Sequence, residues 1–324
     1  MFLVGQHGFG QDIHWSQFND NPIFQNPGNA GHFNGDIRFV GNFRDQWRSV
    51  TVPFSTLSTS VDANFGRYEN FGGGLLIFHD VVGDGQFRTV EVQGNLSCLI
   101  KLTADSTHSI RPGINLGMNH RQFNSDQFYF DSQFDGVQFN PSLPTNEVFA
   151  ADQRTNMSVG LGAVYEYFRD PHFKFQGGIS VFNLNTPDQG FFGTSIRRDI
   201  RFNIFGKGLV GLIPDWDLVP ELQLGFQGIY REIVLGSRVK YTLTDRLGVY
   251  RALYAGLFYR NRDAAYLSVG MDYQNWFAGI SYDLNFSKLV PASNMRGGFE
   301  IAVRYIINRF KPKTIVHRIC PDYI

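Results

Sequence analysis

The chain has 324 residues, with 29 lysine and arginine residues balanced by 29 aspartate and glutamate residues. This balance gives no overall positive field and argues against a nucleic-acid-binding protein. The mean hydropathy is −0.20, and the absence of any run of roughly 18 uninterrupted apolar residues excludes membrane-spanning helices.

The first 35 residues do not have the pattern of a strand. Residues 1–10 lack a complete signal peptide, but Gly8-Phe9-Gly10 resembles the end of a cleavage site, and we expect these residues to be the remnant of a signal peptide or leader. Residues 11–35 form an Asn/Pro-rich segment whose Asn-Pro steps favour extended or turn conformations. This segment either lies in the mouth of a barrel or caps its periplasmic end, or it is a loose leader.

From Asp36 onward, apolar and polar residues alternate with a period of two, which is typical of β-strands with two different faces. The pattern is clearest between Ala264 and Ile307, where Leu267 and Val269 share an apolar face and Ser268 lies on a small, polar face. About fourteen such segments follow one another, and they are 36–47, 54–65, 71–82, 87–102, 109–122, 157–167, 173–184, 199–210, 218–230, 233–243, 251–260 and three within 264–307.

A face of Gly, Ser, Asp and Glu residues is too small and polar to fill a dry protein core, so the apolar face is expected to contact lipid. A closed barrel is the β-structure that satisfies its backbone hydrogen bonds within hydrocarbon. The sequence therefore predicts an all-β fold, a transmembrane antiparallel up-and-down β-barrel of about 14 strands over residues 36–310, followed by a C-terminal tail at 311–324. Tyr259, Tyr273, Trp276 and Tyr305 are expected to form an interfacial girdle.

The predicted connections alternate in length. Residues 67–70, 169–172 and 274–275 are short turns, whereas residues 122–156, 185–198 and 285–296 are long. Bacterial outer-membrane barrels place short turns in the periplasm and long loops outside the cell. We therefore expect an outer-membrane location with both termini in the periplasm.

Eleven charged residues fall on the predicted inner face, and their mixed signs suggest pairing across the lumen. The set is Arg38, Arg44, Glu91, Arg111, Glu166, Lys174, Arg201, Asp272, Asp283, Glu300 and Arg304. One interpretation is a pore lining, and the other is a salt-bridged interior that stabilises a narrow barrel.

No catalytic or nucleotide-binding motif is found, and we predict neither an enzyme nor a cofactor. Asp126, Asp131 and Asp135 lack the regular ligand set of a calcium loop, which favours solvated charges over a metal site. Cys98 and Cys320 are the only cysteines and belong to no metal or redox motif.

The longest predicted connection carries four aromatic residues among acidic ones: Phe128, Tyr129, Phe130 and Phe134. Exposed aromatic clusters are costly unless they are buried against something. These residues are expected either to fold into the barrel mouth or to dock a partner.

Several short motifs spread over nearly the whole chain resemble one protein family. They are Phe18 with Asn21-Pro22, Asn26-Pro27, Ala30-Gly31, Phe43-Arg44-Asp45-Gln46-Trp47, Pro53-Phe54-Ser55-Thr56, Gly73-Gly74-Leu75-Leu76 and Tyr282-Asp283-Leu284-Asn285 with Ser287-Lys288-Leu289. In these residues the chain resembles the PorP/SprF family of outer-membrane proteins associated with type IX secretion and gliding motility. The tail at 311–324 departs from the simplest family pattern.

The resemblance implies a barrel that accompanies a large secreted, adhesin-like protein and helps to secrete it or anchor it at the cell surface. It implies a partner with a C-terminal sorting domain, alongside other type IX secretion components or a periplasmic lipoprotein. It supplies no catalytic residues. The alternative function is a narrow outer-membrane channel or a transporter of hydrophobic solutes.

Overall fold

The fold is described from a computed structural model, which covers residues 12–46, 53–65, 70–83, 85–124, 128–146, 151–191, 195–246, 248–286 and 295–308. Predictions for residues 1–10 and for the tail with Cys320 lie outside these ranges. The strands are β1 Ile37–Gln46, β2 Phe54–Phe65, β3 Phe71–Val82, β4 Phe87–Cys98, β5 Ile100–Lys101, β6 His108–Gln122, β7 Gln153–Asp170, β8 Phe173–Phe182, β9 Arg201–Ile213, β10 Trp216–Gln227, β11 Tyr230–Arg246, β12 Val249–Arg260, β13 Ala264–Tyr273, β14 Trp276–Asn285 and β15 Arg296–Ile307.

Fourteen of these strands form one antiparallel sheet that closes on itself. Each long strand pairs with its neighbours in sequence, and the first strand pairs with the last, with Phe39 opposite Tyr305. The two-residue β5 is a short extension beside β6, while β4 pairs directly with β6. The predicted up-and-down barrel of about 14 strands is therefore confirmed.

The two faces of the wall have the polarity that the alternation predicts. In β13, Leu267 and Val269 are 57% and 58% exposed on the outside, whereas Ser268 and Asp272 are buried on the inside. Exposed apolar side chains and buried polar ones recur along the other long strands. This polarity is the reverse of a soluble protein and fits a wall that faces hydrocarbon.

Aromatic residues stack on the outer face near one end of the barrel. The Trp276 and Tyr305 rings lie 4.4 Å apart, and the Trp216 and Tyr241 rings lie 4.6 Å apart. Amphipathic rings prefer the boundary between hydrocarbon and headgroups, so these pairs mark the edge of the apolar band.

Some strand boundaries differ from the predicted ones. The predicted segment 87–102 is interrupted at Leu99, and Tyr230 begins β11 instead of ending β10. Strands β7 and β11 extend beyond their predicted ends to 18 and 17 residues. Polar residues at strand ends interrupt the apolar alternation although the backbone pairing continues, which is why the pattern underestimated these lengths.

The described helices are four short segments: η1 Phe18–Asp20, α1 Pro22–Gln25, η2 Pro27–Asn29 and η3 Asp131–Gln133. Within the described part of the chain, no helix has the length and apolar character required to cross a membrane.

The lipid-facing register of β13 can be tested with a charged residue. Val269→Arg places a guanidinium in mid-strand on the outer face and should cost about 2–4 kcal/mol of folding free energy in a bilayer. Ala265→Arg lies on the same face near the strand end, where the cost should be about 0–1 kcal/mol. Unfolding in lipid vesicles measures both values, and equal costs would contradict this register.

Candidate functional site in the lumen and at the long-loop end

The two ends of the barrel differ in their connections. One end carries the loops 123–152, 183–200 and 286–295, and we call it the long-loop end. The other carries two-residue turns at 171–172, 214–215 and 274–275, and we call it the short-turn end. Ile37, at the start of β1, pairs with Ile307, at the end of β15, at the short-turn end.

Residues 12–35, which we call the plug segment, run through the lumen from the long-loop end to the short-turn end. The Asp12 backbone N–H donates to Gln227 Oε1 at 2.7 Å, in the last residue of β10. The Gly31 backbone N–H donates to Asp62 Oδ2 at 2.7 Å, near the opposite end. The segment is therefore an internal plug, and it is bound along its length.

The Asn-Pro steps explain the compact path of the plug segment. Pro22 occupies the first turn of α1 and Pro27 the first turn of η2, where a missing backbone N–H has no cost. The Asn26 side chain accepts a hydrogen bond from the Gly28 backbone N–H at 2.8 Å and caps η2. Two short helical turns thus replace an extended chain.

A buried ion cluster holds the plug segment near the long-loop end. Arg44 of β1 lies 3.1 Å from Asp283 of β14 and 3.2 Å from Glu300 of β15. Arg260 of β12 reaches the same Asp283 at 3.2 Å. The Ser16 hydroxyl donates to Asp283 Oδ1 at 2.8 Å and accepts from both arginines at 2.9 and 2.7 Å. Strands distant in sequence are thereby joined through one plug residue.

Further ion pairs hold the middle and the far end of the plug segment. Arg238 of β11 lies 2.9 Å from Asp20, and its Nε donates to Glu221 of β10 at 2.7 Å. Toward the short-turn end, the Arg38 Nε donates to Asp62 Oδ1 at 2.9 Å and Arg38 Nη2 donates to Asp62 Oδ2 at 2.7 Å. This pair is bidentate and buried, the geometry in which an arginine–carboxylate pair is strongest.

The wall also binds the backbone of the plug segment. The two oxygens of Glu300 accept hydrogen bonds from the backbone N–H groups of Ser16 and Gln17, both at 2.8 Å. The Tyr266 hydroxyl donates to the Ser16 carbonyl at 2.7 Å, and the Ser97 hydroxyl donates to the Ala30 carbonyl at 2.6 Å. Backbone groups that lack a strand partner are satisfied in this way, which a buried irregular segment requires.

Apolar contacts of the plug segment form two small clusters. Trp15 and Phe24 pack edge to face at 6.4 Å, and Phe24 packs against Phe78 of β3 at 5.9 Å. Phe18 packs against Phe258 of β12 at 6.4 Å. A cavity of about 50 Å³ remains beside these rings, between the plug segment and strands β9 to β11. The lumen is therefore largely filled by the plug segment.

All eleven charged residues predicted for the inner face lie on the lumen side. Eight of them are buried: Arg38, Arg44, Glu91, Arg111, Arg201, Asp272, Asp283 and Glu300. The remaining three pair within the lumen, Lys174 with Glu166 at 2.7 Å and Arg304 with Asp272 at 3.0 Å. They do not converge on one site, because they belong to separate clusters along the plug segment.

Several interior charges were missed by the sequence prediction, and these are Asp12, Asp20, Asp62, Arg198, Glu221, Arg238 and Arg260. The period-two alternation already places Asp62, Glu221, Arg238 and Arg260 on the inner face of their strands. The two plug aspartates and Arg198, in the connection between β8 and β9, carry no periodic signal and are positioned by tertiary contacts.

The four predicted loop aromatics separate into two environments. Phe128 and Phe130 are half-buried, and the Phe128 ring lies 5.7 Å from that of Phe123 and 6.2 Å from that of Phe130. Tyr129 and Phe134 are 79% and 56% exposed. One pair therefore folds against the barrel mouth, while the other faces solvent.

The exposed pair lies around a small hairpin. Phe134 and Phe139 form an isolated antiparallel bridge, and the Tyr129 ring packs against Phe139 at 4.7 Å. Asp135 accepts hydrogen bonds from the backbone N–H groups of Gln138 and Val137, and these bonds hold the pKa of its carboxyl below the ordinary value. Asp135 therefore stabilises a turn.

Asp126 lies outside the described residues, and the described residues contain no cluster of three metal-ligating side chains.

These features define a class of protein: an outer-membrane-type β-barrel with an internal plug and an elaborated long-loop end. A family model described as "Type IX secretion system membrane protein PorP/SprF" matches residues 7–305. The chain belongs to this family, as the sequence motifs suggested. It is thus a membrane barrel of a secretion system, and its family and architecture indicate the outer membrane.

Solved structures with a similar fold include three outer-membrane barrels. The toluene transporter TbuX of Ralstonia pickettii shares 10% identity, with a TM-score of 0.52 and coverage of 89% of this chain and 94% of that chain. A FadL homologue of Pseudomonas aeruginosa shares 11%, with a TM-score of 0.51 and coverage of 88% and 94%. The toluene transporter TodX of Pseudomonas putida shares 10%, with a TM-score of 0.50 and coverage of 87% and 92%. A search of curated proteins found no match.

Proposed function

We propose that this barrel binds a large surface protein exported by type IX secretion and helps to secrete it or anchor it at the outer membrane. The long-loop end faces outward, and the short-turn end faces the periplasm. The partner is an adhesin-like protein with a C-terminal sorting domain. Other secretion components or a periplasmic lipoprotein contact the short-turn end. The protein acts by binding and is not an enzyme.

One observation carries this proposal: the longest connection presents an apolar surface to solvent. We call this surface the docking hairpin, and it consists of Tyr129, Phe134, Val137 and Phe139, which are 79%, 56%, 88% and 38% exposed. Aromatic residues on a turn that is internally hydrogen-bonded lose little entropy on binding and are favoured as interface anchors. Phe128 packs against Phe123 and Phe130, which joins the chain next to the hairpin to the barrel mouth.

A narrow channel or hydrophobic-solute transporter is the second candidate. The cavity beside Trp15, Phe18 and Phe24 favours it, because apolar rings suit an apolar solute. Its volume of about 50 Å³ and the ion pairs that hold the plug segment favour a closed lumen. We therefore place binding first.

The proposal is tested by replacing the four residues of the docking hairpin with serine. These residues lie outside the strand pairing, so assembly and heat-modifiable migration should be unchanged while surface retention of the partner falls at least tenfold, the effect of losing a few interface anchors. Retention is measured by fractionation and surface labelling of cells.

A matched control is Ile196→Ser with Phe286→Ser, which removes apolar residues that are 48% and 52% exposed on the other two long loops. It should leave retention unchanged. Normal retention in the hairpin variant would reject the docking role, and increased leakage of small solutes with normal retention would favour the channel.

A further inference from the structure

Four arginines lie together inside the barrel at the long-loop end. We call them the mouth arginines: Arg121 of β6, Arg154 of β7, Arg198 of the connection between β8 and β9, and Arg201 of β9. Arg121 and Arg154 flank the loop that carries the docking hairpin. They lie on the inner face, since they alternate with the strand residues whose side chains face outward, such as Met118 and Met157.

The carboxylates nearby are used mainly by Arg198. Its guanidinium lies 2.8 Å from Asp12 and 3.2 Å from Glu91. Burial alone would lower the pKa of Arg198, but these two carboxylates raise it above the ordinary value. Arg201 reaches Asp12 only at 3.7 Å, and its guanidinium stacks on the rings of Phe24 and Phe182.

Arg121 and Arg154 have a different environment. They are directly opposite each other in the pairing of β6 and β7. Among the described residues, neither has a carboxylate at ion-pair distance, and the Nε atom of each is buried without a hydrogen-bond partner. Arg121 is held by the Gln189 side-chain oxygen and lies over the Phe87 ring at 6.0 Å.

This arrangement is unfavourable for folding alone. Like charges directly opposite on paired strands repel each other, and a buried donor without a partner costs free energy. Guanidinium groups provide paired donors that match the two oxygens of a carboxylate. Asp12, Glu91 and Asp80 attract Arg121, and Asp188 attracts Arg154, but among the described residues none of these carboxylates forms an ion pair with either guanidinium.

We propose that Arg121 and Arg154 form a binding site for carboxylates of an acidic segment of the secreted partner. The inference rests on the proposed function, because the site lies at the base of the loop that carries the docking hairpin. Both side chains are only partly buried, so they are open to contact by a polypeptide that enters the mouth. A lipid headgroup is disfavoured, since the barrel wall separates the lumen from the bilayer.

The experiment uses the full chain, refolded in detergent, with a hexaglutamate peptide as the probe and a hexaglutamine peptide as the reference. We expect hexaglutamate to raise the thermal midpoint of the wild-type barrel and hexaglutamine to leave it unchanged. In the double variant Arg121→Gln with Arg154→Gln, hexaglutamate affinity should fall at least tenfold, as expected when charge-assisted hydrogen bonds are lost.

The change in thermal midpoint that the double substitution causes without ligand separates a binding role of the two arginines from a structural one. The double variant relieves repulsion and should have a midpoint equal to or above that of the wild type. The matched control is Arg88→Gln, at the same end on the outer face, where Arg88 Nη2 donates to Gln86 Oε1 at 2.6 Å. This control should bind hexaglutamate as the wild type does.

Three results would overturn the carboxylate site. They are a lowered midpoint of the double variant without ligand, equal hexaglutamate binding by the double variant and the wild type, and stabilisation by inorganic phosphate but not by hexaglutamate at equal ionic strength. The last result would indicate a phosphate-bearing ligand instead. If the hairpin variant retains the partner normally and the wild type binds hexaglutamate, the proposed docking surface is rejected but this site is not.

Discussion

Replacing Glu300 with alanine is expected to release the plug segment at the long-loop end. Glu300 is buried and accepts hydrogen bonds from the backbone N–H groups of Ser16 and Gln17 while pairing with Arg44. Without it, two backbone donors lose their acceptor, and Arg44 loses one of its two carboxylate partners and keeps Asp283. Breaking a buried ion pair in this way costs about 3–5 kcal/mol.

Two measurements check this prediction. The midpoint temperature of heat-modifiable migration should fall. Ion conductance in planar bilayers should rise, because the plug segment no longer stays bound in the lumen. Asp263→Ala is the matched control, because Asp263 pairs with Arg260 of the same cluster at 2.9 Å but has a side chain that is 41% exposed. An exposed pair contributes about 0–1 kcal/mol. A closed, stable Glu300→Ala barrel would show that backbone recognition by Glu300 is dispensable.

The wall of the barrel could be predicted from sequence because its signal is local. The outward position of Val269 and the inward position of Ser268 follow from the period of two alone, and the pattern also gave the number of strands. The interruption at Leu99 and the start of β11 at Tyr230 were not predicted, since the pattern weakens where polar residues meet the interface.

The position of the plug segment could not be predicted from sequence. Its Asn-Pro steps predicted turns, but the hydrogen bond from Ser16 to Asp283 joins residues 267 positions apart, and no local pattern specifies it. The separation of the four loop aromatics into a half-buried pair and an exposed pair could not be predicted for the same reason. Whether Phe128 packs on Phe123 or remains exposed like Tyr129 depends on how the loop folds back onto the mouth.

The polarity of the lumen follows from the environment of the wall. With hydrocarbon outside, apolar burial gives little preference for one packing of the interior, whereas directional bonds such as those between Arg38 and Asp62 fix the plug in one register. Buried pairs of this kind add little net stability when matched and cost much when one partner is lost. The position of the plug segment is therefore set by complementary charges and hydrogen bonds. A single substitution that removes one partner can displace the segment from the lumen.

Substitution of a glycine in the barrel wall is a second way to displace the plug segment, because an added side chain would collide with its backbone. Gly113 of β6 faces the lumen, and a Cβ added there would lie 2.5 Å from the Gly28 backbone nitrogen and 2.6 Å from the Pro27 carbonyl carbon. Gly41 of β1 faces outward, and a Cβ added there would meet nothing within 4 Å. Neither glycine has a positive φ, so valine is compatible with the backbone at both positions.

We expect Gly113→Val to push the plug segment away from β6, because the obstructing atoms belong to the backbone and cannot change rotamer. The cost should be at least the 1–3 kcal/mol typical of an overpacked interior, and bilayer conductance should rise. Gly41→Val should leave conductance unchanged and stability equal or slightly higher, since a β-branched residue favours a strand more than glycine does. Similar conductance of the two variants would mean that close contact with β6 does not hold the plug segment in the lumen.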